Sequence, residues 1–412
     1  MVSKFEYNGI EIITHKTRKF KTLTFLLTIG FPITTNLDKV TTRALLPYLL
    51  LEGTTAFPNK YLLQEQIENL YGTDIKIDLF KNRDTQLFSY YIEVPNSNYQ
   101  SDSIKKLIDI FRSILFNSNI PNQLKNEQIN NAKTLLKKEH NNLLSNKILY
   151  TNQKLIKKMH YQEPYAISAI GYKDRIKNVD KHDVLSSYKE LVESSDIRVL
   201  LIGDINIKDN ENIINSFERP TYNPGRLLNN NSIENCETKD PISNTGSQAY
   251  IAIGLKYIGD ISKANIIKVA NALLGRFPSS RLFQILREKE QLCYFVLSQI
   301  DMNTKNIIIN LIVEKKEKNR AISIVNEELN NLKRGRFSEY ELEKSKNAIR
   351  MLLLNAEDSP IGMMDDINQS IELKTNYDIK KQVEEINEIN KQDVISIFNH
   401  WHLDTIYTLG DE

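Results

Sequence analysis

Residues 275–298 read GRFPSSRLFQILREKEQLCYFVLS, a helix, a turn and the start of a strand in one run. Ser279 or Ser280 can offer a side-chain oxygen to the free N–H groups that open a helix over 279–290. Leu282, Ile285 and Leu286 give that helix an apolar face, and Arg287 stands near its end. A turn at 290–292 leads to CYFVLSQI, 293–300, whose β-branched and aromatic residues suit a strand, and Tyr294 opens it. Such a turn can bring the guanidinium and the phenol to one side, as directional donors toward a carbonyl or an oxyanion. Plainer uses stand beside that one. An Arg near a helix C-terminus offsets the helix dipole, and a Tyr at a strand start commonly edges a core.

Outward from this run, the second half of the chain reads as strand 247–256, helix 262–274 with Gly275 after it, the run above, strand 305–313, helices 317–333 and 338–357, and a closing strand 405–409 before Gly410-Asp411. The first half follows the same plan. Strands at 9–14 and 22–30 read as neighbours. A helix over 38–51 follows, with Asp38 able to cap it, Pro47 expected to kink it or loosen its last turns, and Gly53 just past its end. A second helix at 59–70, strands at 73–80 and 86–94, helices at 102–116 and 122–144 and more helix to about 192 lead to a strand at 197–202 and then Gly203-Asp204. The spacing predicts an internal repeat with Gly53 and Gly275 in equivalent places. The fold class is therefore α+β, with two homologous mixed α/β domains. They span 1–218 and 247–412, joined by the Pro-, Asn- and Ser-punctuated linker 219–246. Two similar lobes make the cleft between them the default ligand site.

Composition narrows the function. Lys+Arg 54 against Asp+Glu 52 gives a net charge of +2 in 412 residues, with no overall signature for nucleic acid or membrane surfaces. The two cysteines, Cys236 and Cys293, cannot build a disulfide framework or a Cys-rich zinc site, and they fit a reducing compartment. The N-terminus lacks the order of a signal peptide, and the apolar stretch Leu23 to Phe31 is far shorter than the roughly 20 residues of a membrane span. A soluble cytoplasmic protein is expected. Neither a phosphate-cradling Gly loop nor GxSxG occurs. His15, His140, His160, His182, His400 and His402 are scattered, and only His400-x-His402 are close, as surface or capping residues. Asp365-Asp366 reads as a solvated helix face.

The run SSRLFQILREKEQLCY closely resembles the C-terminal-domain signature of the pitrilysin-type metallopeptidases, an inverzincin family, and the likeness extends over nearly the whole chain. Gly53-Thr54, MHYQEPYAISAIGY at 159–172 and the duplicated endings share it. The resemblance implies the fold of the LuxS and mitochondrial-processing-peptidase metallohydrolases. It also implies that Arg287 and Tyr294, seven residues apart, bind the substrate backbone. Active members carry HxxEH a few residues before Gly-Thr. Its two His hold zinc, and its Glu activates water. Counted back from Gly53-Thr54, those positions fall on Ala44, Pro47 and Tyr48, none of which can do the work. Glu127 or Glu139 lies near the family's further Glu ligand, and one carboxylate does not hold zinc tightly.

The resemblance thus implies a zinc-less subunit of subfamily B, in the branch lacking HxxEH, as RALLPYLLLEGTTAFPN and IENLYG also suggest. Its implied partner is a homologous HxxEH-bearing subunit that brings the zinc. Its implied substrate is a peptide, as in maturation of ribosomally made peptides. No nucleic acid, membrane, cofactor, metal or catalytic residue is expected in this chain itself. The alternative is a non-enzymatic peptide-binding or scaffold subunit.

Overall fold

The computed structural model of the chain describes residues 2–70, 75–96, 103–205, 217, 219–222, 246–259 and 264–410. The expected linker 219–246 and Asp411 fall mostly or wholly outside the described residues. The chain forms two compact units, Met1–Asn142 with Gln162–Glu234, and Leu143–Tyr161 with Asn235–Glu412. The division is not purely sequential, because helix Lys147–Met159 belongs to the second unit.

Strands β1 (Val2–Tyr7), β2 (Ile10–Lys16), β3 (Thr22–Pro32), β4 (Lys76–Asn82), β5 (Thr85–Pro95) and β6 (Asp196–Gly203) build one sheet in the order β1-β2-β6-β3-β5-β4. Strands β7 (Gln248–Tyr257), β8 (Cys293–Asp301), β9 (Asn306–Glu314) and β10 (Trp401–Leu409) build the other in the order β10-β7-β9-β8. The repeat is written in these orders. The block β6-β3-β5-β4 and the block β10-β7-β9-β8 have the same connectivity, and every pairing inside both blocks is antiparallel. The first unit adds the hairpin β1-β2, with β2 parallel to β6.

One expectation fails here. The strands around 9–14 and 22–30 are not neighbours, since β6 lies between them. Consecutive strands usually pair. Here the strand that closes the unit is almost wholly apolar (IRVLLI), and an interior place covers it on both edges.

Helices pack against the first sheet and against both faces of the second, where Ile251 and Ile253 face one helical core and Ala252 the other. In the first unit, Phe25 of β3 stacks on Phe111 of helix Ser103–Phe116 with ring centroids 4.6 Å apart. In the second, Ala252 of β7 with Tyr407 and Leu409 of β10 packs against Tyr150, Leu155 and Met159 of helix Lys147–Met159. Gly254 permits that approach, because a Cβ there would lie 2.2 Å from the Met159 sulfur. The helices Pro360–Glu372, Ile379–Glu388 and Lys391–His400 complete this unit. Among the described residues, no helix is long and apolar enough to cross a membrane.

Candidate functional site

The segment expected as one helix over 38–51 is three short pieces. Helix Leu37–Arg43 is capped by Asn36, whose side chain accepts from the Lys39 N–H at 3.0 Å. Asp38, the expected cap, lies inside the first turn and pairs with Arg175 at 3.3 Å. The helix stops at Ala44. Pro47 sits in the opening turn of Leu46–Leu49, where its missing N–H costs nothing, and a 3-10 turn, Leu50–Glu52, follows. The segment is therefore broken ahead of Pro47 and not kinked, and its last turn is loosened to a 3-10 turn, the other outcome expected of the proline. Gly53 closes the segment at φ 147°, whereas Gly275 lies within a widened turn, Ala272–Arg276, and does not follow a helix.

Zinc does not fit the three motif positions. Ala44 is fully buried and has no donor atom. Pro47 offers only its carbonyl, which accepts from the buried Tyr90 hydroxyl at 2.7 Å. Tyr48 is half-buried. Desolvation first, then the charges of Glu139 and Asp78, push its phenol well above the usual range, so it stays protonated and is a poor metal ligand. Tyr48 lines a recess of about 230 Å³ with Leu51, Leu63, Ile67, Ile75 and Ile77, walls fit for an apolar group.

Glu139 and Glu127 both lie on helix Asn126–Ser145, about 18 Å apart along its axis. Only Glu139 acts on Tyr48. Glu127 instead acts on Glu52, whose carboxyl is raised by burial first, against the opposing charge of Lys60.

The second unit holds the other two residues. The expected helix 279–290 is a single turn, Arg281–Phe283, running into a widened π-type stretch, Gln284–Lys289. Ser280 takes the cap position without capping, since its hydroxyl donates to the Phe277 carbonyl at 2.5 Å. Arg281 anchors the stretch by donating to Glu328 at 2.8 Å and Glu341 at 2.9 Å. Arg287 projects outward, its guanidinium over the Phe283 ring at 5.0 Å, and is exposed. Its charge also reaches the buried Cys293 thiol. Burial drives that thiol up to about 11, and Arg287 opposes the rise.

Gln291, at φ 53°, turns the chain into β8, the edge strand of its sheet. A β-bulge falls at Tyr294. Cys293 faces Val313 and Phe295 faces Ile312, so Tyr294 has no cross-strand partner of its own. The bulge turns the ring outward to 55% exposure, so Tyr294 is not a core-edge residue. Its hydroxyl donates to Glu314 Oε1 at 3.2 Å, and Lys316 Nζ holds the other oxygen at 2.9 Å. The Lys316 hydrogen bond and charge first, then Tyr294, keep the Glu314 carboxyl below its usual range. Sequence reasoning missed Glu314. Only the bulged hairpin register, invisible in the alternation of the strand, makes the two residues meet.

Of the remaining polar residues, His400 Nδ1 donates to the Ser396 carbonyl at 2.6 Å, and His402 is exposed on β10. Asp366 departs from the solvated face expected for it. It is half-buried opposite Lys268, and burial raises its carboxyl while lowering the Lys268 ammonium. Among the described residues, Asp180, His182 and Asp183 come near enough to share an ion. However, Asp180 and Asp183 form the reciprocal cap of helix Lys181–Ser194, at 2.9 and 3.1 Å.

Sequence comparison relates this geometry to known proteins. Residues 178–349 match the "Peptidase M16 inactive domain" family, which takes in Arg287 and Tyr294. Along 98% of this chain and 97% of the relative, the sequence is 26% identical to the "Probable inactive metalloprotease YmfF" of Bacillus subtilis (strain 168). Over residues 178–349, then, the chain is similar to the peptidase M16 inactive domain, and over nearly its whole length to a probable inactive metalloprotease. A second relative is the "Antilisterial bacteriocin subtilosin biosynthesis protein AlbE" of Bacillus subtilis. It is 22% identical over 65% of this chain and 67% of that protein. Among solved structures, the peptidase M16 inactive domain from Pseudomonas fluorescens superposes with a TM-score of 0.76 at 16% identity, covering 99% of this chain and 97% of the other. The M16 fold, duplicated as the sheet orders require, is thus the fold of this chain.

Proposed function

We propose that this chain is the zinc-less subunit of a heterodimeric M16 peptidase. Arg287 and Tyr294 hold the peptide backbone, and a homologous HxxEH-bearing subunit supplies the zinc and the water-activating Glu. The observation that carries this reading is an asymmetry within one chain. The positions that would bind metal hold Ala44, Pro47 and Tyr48, while Arg287 and Tyr294 stand outward on an anchored turn and a bulged edge strand.

The chemistry follows from the groups. Arg287 is a fixed cation with several N–H donors, over Phe283, and is suited to a carbonyl oxygen that gains negative charge during peptide cleavage. A donor of that kind stabilises the transition state more than the bound substrate. Among the described residues, the edge position of β8 leaves one side of the strand open for an extended peptide, which favours recognition through the backbone over side-chain identity. We place this activity in the cytoplasm, with maturation of a ribosomally made peptide as its setting. The likeness to a bacteriocin biosynthesis protein supports that setting.

The test is co-expression with a homologue carrying HxxEH. Co-purification of the two chains, together with peptide cleavage that neither shows alone, is expected. Failure of the chains to associate overturns the proposal and favours a free-standing scaffold.

A further inference from the structure

We propose that Glu314 is a positioning residue for Tyr294: it accepts the hydrogen bond from the phenolic O–H and so leaves the phenol oxygen as an acceptor for a peptide N–H. This rests on the peptide-clamp reading above and specifies its chemistry. A tyrosine hydroxyl has one proton to give and two lone pairs to offer. Here the proton is directed at Glu314 Oε1, 3.2 Å away. Lys316 pairs with the second oxygen of that carboxylate at 2.9 Å. The lone pairs of the phenol are left for the ligand.

The bulge makes the arrangement possible. With Cys293 opposite Val313 and Phe295 opposite Ile312, Tyr294 is set beside the end of β9, where Glu314 follows Val313. Arg287 can only donate. One donor-only group and one acceptor then complement an extended backbone, which alternates C=O and N–H, better than two donors would. The pair would therefore select backbone in extended form and accept varied side chains. A ligand with carbonyls and no N–H groups would meet only half of the pair.

The experiment is a double-mutant cycle on the full chain. Its probe is a fluorescein-labelled peptide of about 20 Gly, Ser, Ala and Leu residues, and binding is read by anisotropy. Y294F is expected to weaken binding roughly 3- to 10-fold, the scale of one net hydrogen bond. E314L should give a smaller loss in the same direction. E314Q should bind like wild type, since its amide oxygen still accepts the hydrogen bond from the phenolic O–H. In the Y294F background, E314L should change nothing further. If E314L and Y294F act additively, or E314L has no effect while Y294F does, Glu314 does not act through Tyr294 and this inference falls alone. If wild type does not bind, or R287A and Y294F bind like wild type, the clamp reading falls and takes the inference with it.

Discussion

Tyr90 of β5 donates its buried hydroxyl to the carbonyl of Pro47 at 2.7 Å, tying the sheet to the opening turn of helix Leu46–Leu49. The sheet thus holds the Pro47 backbone in place. Removing the hydroxyl leaves a buried carbonyl without its donor, which costs about 1–3 kcal/mol. Tyr90→Phe should lower the denaturation midpoint accordingly and leave the far-UV circular dichroism unchanged. An unaltered midpoint would mean that the bond does not secure this segment.

One turn earlier, Arg43 is 2% exposed and meets Glu190 at two points, Nε to Oε2 at 3.1 Å and Nη2 to Oε1 at 2.7 Å. Burial alone would raise the Glu190 carboxyl. The bonds and charge of Arg43, then of Lys39, outweigh burial and hold it below its ordinary value of 4.5. Because the folded value lies below the unfolded one, this contribution is complete above about pH 4.5 and is lost as pH falls through the folded value. Glu190→Gln strands a buried guanidinium, and a loss of about 3–5 kcal/mol is expected at pH 7. The variant should also show a flatter fall in stability below pH 4.5 than wild type in urea titrations at stepped pH.

Cys293 offers a readout of Arg287 that needs no substrate. Its thiol is driven up to about 11 by burial, with Arg287 opposing. Alkylation at pH 8 by iodoacetamide, followed at the Cys293 peptide by mass spectrometry, should therefore be slow in wild type. It should be slower still in Arg287→Ala, which removes the charge favouring the thiolate. A faster rate in the variant would mean that Arg287 only shields the thiol and does not charge-stabilise it.

Much of this fold is legible in the residues because its strands are chemically plain. The stretch 22–30 and the run IRVLLI have few other places to go than the middle of a sheet, and both are interior strands. The repeat was legible through matched ends, Gly203-Asp204 and Gly410-Asp411. The order of strands was not, because β6 enters between β2 and β3 from nearly 170 residues away, and no local pattern encodes that pairing. The helix around 279–290 was misjudged for another reason. Periodicity marks its buried face, Leu282 and Leu286, but does not separate an α turn from the wider turn that the segment adopts. Arg287 and Tyr294 stand out through the resemblance of the run around them to a known signature, and spacing alone leaves plainer roles open. Their surroundings depend on Phe283, on the bulge and on Glu314, which only the hairpin register brings together.

The central claim is that this chain supplies the grip and a partner supplies the metal, and the most direct measurement is turnover of the assembled pair with Arg287→Ala in this chain alone. The account predicts that the two chains still co-purify in equal amounts while saturated peptide turnover falls by about 10²–10³, the usual loss for one transition-state donor. Turnover equal to that of the wild-type pair would contradict it.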